Sequence, residues 1–118
     1  MLKVGVDIVA ISRIESFFEK FGQKGLEKFL SQSEIKIAKS VQTYAGFWAA
    51  KEACSKALQC GICKELSFHD MQISKTEKNA PLLALSKEKM EAFKVNSLSL
   101  SISHDKGFAI AVVAITFL

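Results

Sequence analysis

The stretch "SLSLSISHDKGFAIAVVAITFL", residues 97–118, decides the architecture. Its first part alternates strictly, with Leu98, Leu100 and Ile102 on one face and serines on the other. Successive side chains of a strand point to opposite faces, so this pattern predicts a half-buried strand. "HDKG", residues 104–107, reads as a tight turn. The following "FAIAVVAI" is apolar on both faces. It must therefore lie centrally in a sheet or be covered by a second subunit.

Working outward, "LKVGVDIV", residues 2–9, is β-branched and partly alternating, which predicts another strand. Ser12 and Glu15 have the spacing of a capping box opening a helix. Ile14, Phe17, Phe18 and Phe21 then share one helical face, and Gly22 is the expected stop. A second box, Ser31 with Glu34, predicts a short helix to about Val41. A third helix is expected from about Thr43 to Cys60, with Phe47, Ala50, Cys54, Ala57 and Leu58 as its apolar stripe and Gly61 at its end. "SFHDMQI", residues 67–73, reads as a strand, a turn at Asn79–Pro81 leads into another, and Ser86 caps a short helix, "KEKMEAF". The sum is one α+β domain, residues 1–118, with a mostly antiparallel sheet packed against a long helix.

Composition narrows the function classes. Of 118 residues, 49% are hydrophobic, enough for a proper core and against wholesale disorder. The net charge of +4 and a pI near 9.0 favour an anionic partner: nucleic acid, membrane, phosphorylated ligand or acidic protein. Arginine occurs once, at Arg13, and the basic residues form no single run. Nucleic-acid binding usually shows clustered arginines and exposed stacking aromatics, so no nucleic-acid partner is expected. The longest apolar run falls short of the roughly 20 residues a spanning helix needs, so no membrane partner is expected either. Lys3 and Asp7 interrupt what would be the apolar part of a signal peptide. With three cysteines in no scaffold pattern, the expectation is a cytoplasmic protein.

"FWAAKEACSKALQCGIC", residues 47–63, offers two rival chemistries. Cys60-x-x-Cys63, with Cys54 and His69 nearby in sequence, could suit redox work or zinc. A reactive thiol of that motif sits at a helix N-terminus, whereas Cys60 falls at a helix end, where the dipole disfavours the thiolate. Packing is the better reading of these thiols.

The second chemistry is charged. Glu52 and Lys56 lie four apart and share a helical face. Alone they are either a solvated pair or part of a site. Two features raise the second reading. Ala49, Ala50, Ala53 and Ser55 let another group approach closely, and Asp7 stands alone in an apolar strand, where an unpaired charge is costly. If Asp7 and Glu52 converge, they form a hard oxygen site of the kind that holds Mg²⁺ together with phosphate oxygens, with Lys51 and Lys56 flanking the phosphate. His104, beside the serine-lined strand, is a candidate anion contact.

Taken together, "GVDIVAISRIE", "WAAKEACSKAL" and "SISHDKGFAIAVV" resemble the three ordered motifs of the holo-acyl-carrier-protein synthases, the short class of 4′-phosphopantetheinyl transferases. The resemblance covers essentially the whole chain. It implies the fold of that family and a transfer reaction. The phosphopantetheine arm of coenzyme A would move to a serine of apo acyl carrier protein, leaving adenosine 3′,5′-bisphosphate, in support of fatty acid biosynthesis. By carry-over, Asp7 and Glu52 hold Mg²⁺, Lys56 contacts the phosphates, Ser103 and His104 lie near the coenzyme A nucleotide, and Arg13 meets the acidic carrier protein. The family's assembly implies a homotrimer with sites between neighbouring subunits. One departure stands out: Phe47 occupies a position where many members carry Arg, so nucleotide anchoring shifts, with Lys39 and Lys51 as candidates. A metal-dependent phosphohydrolase would use the same carboxylates without a protein acceptor. A pure binding module would explain the charge but not an isolated Asp7.

Overall fold

The computed structural model describes residues 1–118. Strand β1 (Leu2–Ala10) leads into α1 (Ile11–Glu27), α2 (Gln32–Ile37) and the long α3 (Val41–Ala57). A 3₁₀ turn at Phe68–Asp70 precedes β2 (Met71–Lys75) and β3 (Pro81–Leu85); α4 (Lys87–Ala92), β4 (Val95–Asp105) and β5 (Phe108–Phe117) follow. The fold is α+β. β1, β5 and β4 form one antiparallel sheet with β5 at its centre, and β2 and β3 form a separate antiparallel ribbon. No helix is long and apolar enough to cross a membrane.

The C-terminal stretch behaves as its pattern requires. β4 and β5 are a hairpin whose two connecting residues, Lys106 and Gly107, both have positive φ, the turn that matches strand twist. The turn is shorter than expected: His104 and Asp105 belong to β4, paired with Ala109 and Phe108. Ala109, Ala111, Val113 and Ile115 are buried beneath α3, and the intervening Phe108, Ile110 and Val112 are exposed.

Four local expectations change. Helix α1 starts at Ile11 with Ala10 as N-cap and no side-chain cap, so Ser12 and Glu15 form no box. The reason is tertiary: the β4–β5 turn supplies the Gly107 carbonyl to the Ile11 N–H at 2.8 Å. Gly22, at φ 60° and ψ −147°, breaks the helix as expected, but a further helical segment follows it to Glu27. "SFHD" is not strand; Ser67 and Asp70 cap the 3₁₀ turn there. The Ser31–Glu34 box forms as read, opening a helix that ends earlier than expected, at Ile37.

Candidate active site

Helix α3 lies across the inner face of the sheet. It is so deeply packed that from Ala45 to Leu58 only Trp48, Glu52 and Lys56 escape burial. These three are spaced by four and form one stripe, so the only open side of the central helix presents an aromatic ring, a carboxylate and an ammonium. The apolar stripe read from the sequence is buried, but burial extends round most of the helix because Gly5 and the alanines admit β1. A Cβ at Gly5 would stand 2.6 Å from the Ala57 nitrogen and 3.0 Å from the Ala53 carbonyl carbon. Only glycine allows this approach.

That approach brings Asp7 to the stripe. Lys56 Nζ donates to Asp7 Oδ1 at 2.9 Å and to the Val6 carbonyl at 3.1 Å. The Asp7 side chain is 14% exposed. Glu52 is close enough to feel it: burial, and then the charge of Asp7, raise the Glu52 pKa, against a smaller opposing pull from Lys56 and Arg13. Two carboxylates and one ammonium thus converge, as the sequence suggested. Two neighbouring carboxylates resist ionising together, and a divalent cation relieves that repulsion. Arg13 sits beside the group, its guanidinium 5.7 Å from the Trp48 ring centre. Trp48 was missed from the sequence, although its spacing from Glu52 could have flagged it.

Ser103 and His104 part company. Directly paired residues share a sheet face: Ser103 faces outward with Ile110, and His104 faces inward with Ala109. His104 packs on α3 at Gly46, where a Cβ would stand 3.1 Å from its Nε2, and that nitrogen donates to the Gln42 carbonyl at 2.8 Å. A carbonyl only accepts, so Nε2 carries the proton and Nδ1 is free. Beside it is a cleft of about 160 Å³ whose lining includes Thr43, Phe47, Lys75 and Pro81.

Lys51 is a correction. Expected to flank a phosphate, it is fully buried. Its Nζ donates to Glu34 Oε1 at 2.8 Å and to the Phe29 carbonyl at 2.7 Å, while Glu34 also accepts from the Ile73 and Ser31 backbone nitrogens. Burial lowers the Lys51 pKa, and the Glu34 partner acts the other way. The motif's first lysine ties α2, α3 and β2 together and is closed off from the surface. The thiols fit packing: burial pushes Cys54 up to about 12 and raises Cys60, and His69 Nε2 is engaged with the Glu27 carbonyl at 2.9 Å.

A family model described as the 4′-phosphopantetheinyl transferase superfamily matches residues 3–113. Holo-[acyl-carrier-protein] synthase of Helicobacter pylori strain P12 is 62% identical over 114 residues, spanning 96% of this chain and 97% of that one. The protein of the same name from Wolinella succinogenes is 58% identical over 111 residues, 94% of each chain. The crystal structure of the Helicobacter pylori synthase in complex with coenzyme A superposes with a TM-score of 0.94 at 60% identity, covering 96% of this chain and 99% of that one. The crystal structure of the Neisseria meningitidis synthase gives 0.88 at 29% identity, with 97% of each covered.

Proposed function

The chain belongs to the 4′-phosphopantetheinyl transferase superfamily, and we propose from that premise how its own residues carry out the reaction. It is a holo-[acyl-carrier-protein] synthase, transferring the phosphopantetheine arm of coenzyme A to a serine of apo acyl carrier protein. The serine oxygen forms a new bond to the phosphorus bearing the arm. The bond from that phosphorus to the bridging oxygen breaks, and adenosine 3′,5′-bisphosphate leaves. The product serves fatty acid biosynthesis.

The observation that carries the site assignment is the convergence of Asp7, Glu52 and Lys56 on the single open stripe of α3. The donor set suits Mg²⁺: two hard carboxylates, one with its proton affinity raised by burial and then by the other's charge, and no third ligating side chain. Substrate oxygens and water would complete the shell. Bound there, the metal would neutralise charge gathering on the diphosphate. Lys56 spends two N–H donors on Asp7 and Val6, leaving the third for a phosphate oxygen. Arg13, exposed beside Trp48, is placed to meet an acidic carrier protein as it delivers its serine to this stripe. Rim charges of this kind steer association more than they hold the complex.

The outer face of the main sheet supports a homotrimer. Val4, Val6, Ile8, Phe108, Ile110 and Val112 stand 38–59% exposed there, and so continuous an apolar face calls for a covering partner. Ser103 lies on that face, where it would serve a subunit boundary. The decisive assay mixes the protein with coenzyme A, Mg²⁺ and an apo carrier protein. Mass spectrometry should show the carrier gaining one arm only when all components are present. Release of inorganic phosphate with an unmodified carrier would instead identify a phosphohydrolase.

A further inference from the structure

The transfer chemistry makes no use of the buried Lys51–Glu34 pair. Burying two charges is costly, and apolar side chains of the same volume often serve stability as well. What such a pair adds is direction, because each of its bonds aims one group at another. We propose that the pair acts through Phe29 as a positioning device for carrier docking: Lys51 pins the Phe29 carbonyl, and the Phe29 ring, wedged behind Phe17 and Trp48, sets the spacing of the two aromatic walls against which the carrier protein docks. The inference rests on the carrier-docking role of Arg13 and adds to it residues that lie beneath the surface.

Three observations carry it. First, a groove of about 220 Å³ runs between α1 and α3, walled by Phe17 and Trp48 and rimmed by Arg13 and Lys20, with no carboxylate in its lining. It is apolar within and cationic at its edge, which suits an acidic partner, and Trp48 stands one helical turn from Glu52. Second, Phe29 is fully buried and lines no part of that groove, yet its ring meets both walls. Its centroid lies 5.1 Å from that of Trp48 at 81° and 6.3 Å from that of Phe17 at 63°. These are edge-to-face contacts, whose geometry is specific as well as apolar. Phe68 closes the cluster, 6.1 Å from Phe29 and 5.1 Å from Trp48.

Third, Phe29 lies between α1 and α2, outside helix and strand, so its place must be held from elsewhere. Its carbonyl accepts from Lys51 Nζ at 2.7 Å, and the same ammonium is held by Glu34, which the Ser31 and Ile73 backbone nitrogens fix in turn. Lys51 and Trp48 are three residues apart on α3, so the helix that carries one wall also carries the anchor of the wedge. An apolar side chain at position 51 would fill the volume and leave the carbonyl unheld.

Trp48 is the only tryptophan, so its fluorescence reports on the wall directly. Phe29→Leu keeps the carbonyl and removes the ring; Lys51→Met combined with Glu34→Gln keeps the ring and removes the anchor. In both, Trp48 emission should shift to the red and be quenched more readily by acrylamide. In the carrier-protein assay, KM for the apo carrier should rise at least about threefold, KM for coenzyme A should not change, and kcat should stay within about twofold. Ile115→Val is the control for lost stability alone. It opens a small gap in the core beside Lys3, at the end of β1 remote from α1, and should lower Tm without moving the emission or either KM. Phe29→Met repeats the measurement if either variant loses its native thermal transition. Unchanged emission, an unchanged carrier KM in the ring or the anchor variant, or an equal rise in Ile115→Val would each overturn the proposal. Failure of the underlying reading looks different, and the proposal falls with it: Arg13→Glu and Trp48→Ala would leave the carrier KM at its wild-type value while Phe29→Leu still shifts the emission.

Discussion

Gly5→Ala is the most informative single change, because it moves two halves of the site without touching either. The new Cβ would stand 2.6 Å from the Ala57 nitrogen, and nearer still to the Ala53 carbonyl oxygen. Comfortable contact requires about 3.5 Å, so β1 and α3 must separate by about 1 Å. Both contacts are with helix backbone, which cannot rotate aside as a side chain could. Asp7 rides on β1, and Glu52 and Lys56 ride on α3. The Lys56–Asp7 contact would lengthen from 2.9 Å towards about 4 Å and cease to be a hydrogen bond. Overpacking of this kind costs about 1–3 kcal/mol. For a domain of this size that lowers Tm by about 5–15 °C. A displacement near 1 Å costs catalysis about a hundredfold. Calorimetry reads the first effect, and carrier-protein mass spectrometry under saturating Mg²⁺ and coenzyme A reads the second. A variant with native Tm and a kcat within twofold of wild type would refute the claim that glycine sets this spacing.

Asp7→Ala and Glu52→Ala should each lower the transfer rate by at least about a hundredfold with folding intact, measured by the same assay. Because the folded state raises the Glu52 pKa, its ionised form opposes folding above the ordinary glutamate range. Glu52→Gln should therefore raise the metal-free Tm at neutral pH by about 1–3 °C, and this gain should vanish as pH falls below that range. Lys51→Met leaves Glu34 charged and buried, which should cost about 3–5 kcal/mol in denaturant titrations. Pairing it with Glu34→Gln should recover part of the loss. Arg13→Glu should raise the KM for the carrier protein and leave coenzyme A binding unchanged, and added salt should weaken the wild-type interaction in the same direction. Val112→Lys, placed on the apolar outer face, should abolish assembly and activity together; an active species near 13.0 kDa by light scattering would exclude a shared site.

The reach of the sequence depended on how local each cause was. Alternation in "SLSLSIS" and unbroken apolarity in "FAIAVVAI" determined a half-buried strand beside a central one, because a strand's side-chain period acts residue by residue. The Ser31–Glu34 box was legible because both partners lie within one turn. Glu52 and Lys56 share a face for the same reason, and an isolated Asp7 calls for either an exposed strand end or a partner. Tertiary structure decided the rest. The helix α1 cap came from Gly107, far away in the chain, so the local Ser12–Glu15 pattern lost to a backbone carbonyl. The two lysines of "AAKEACSK" look equivalent in the sequence. They sit on different sides of α3, and one meets Glu34 in the core while the other meets Asp7 at the surface. Ser103 and His104 are neighbours in the chain and strangers in space. A residue's role follows from the face it occupies, and faces are assigned by packing between segments that no local pattern relates.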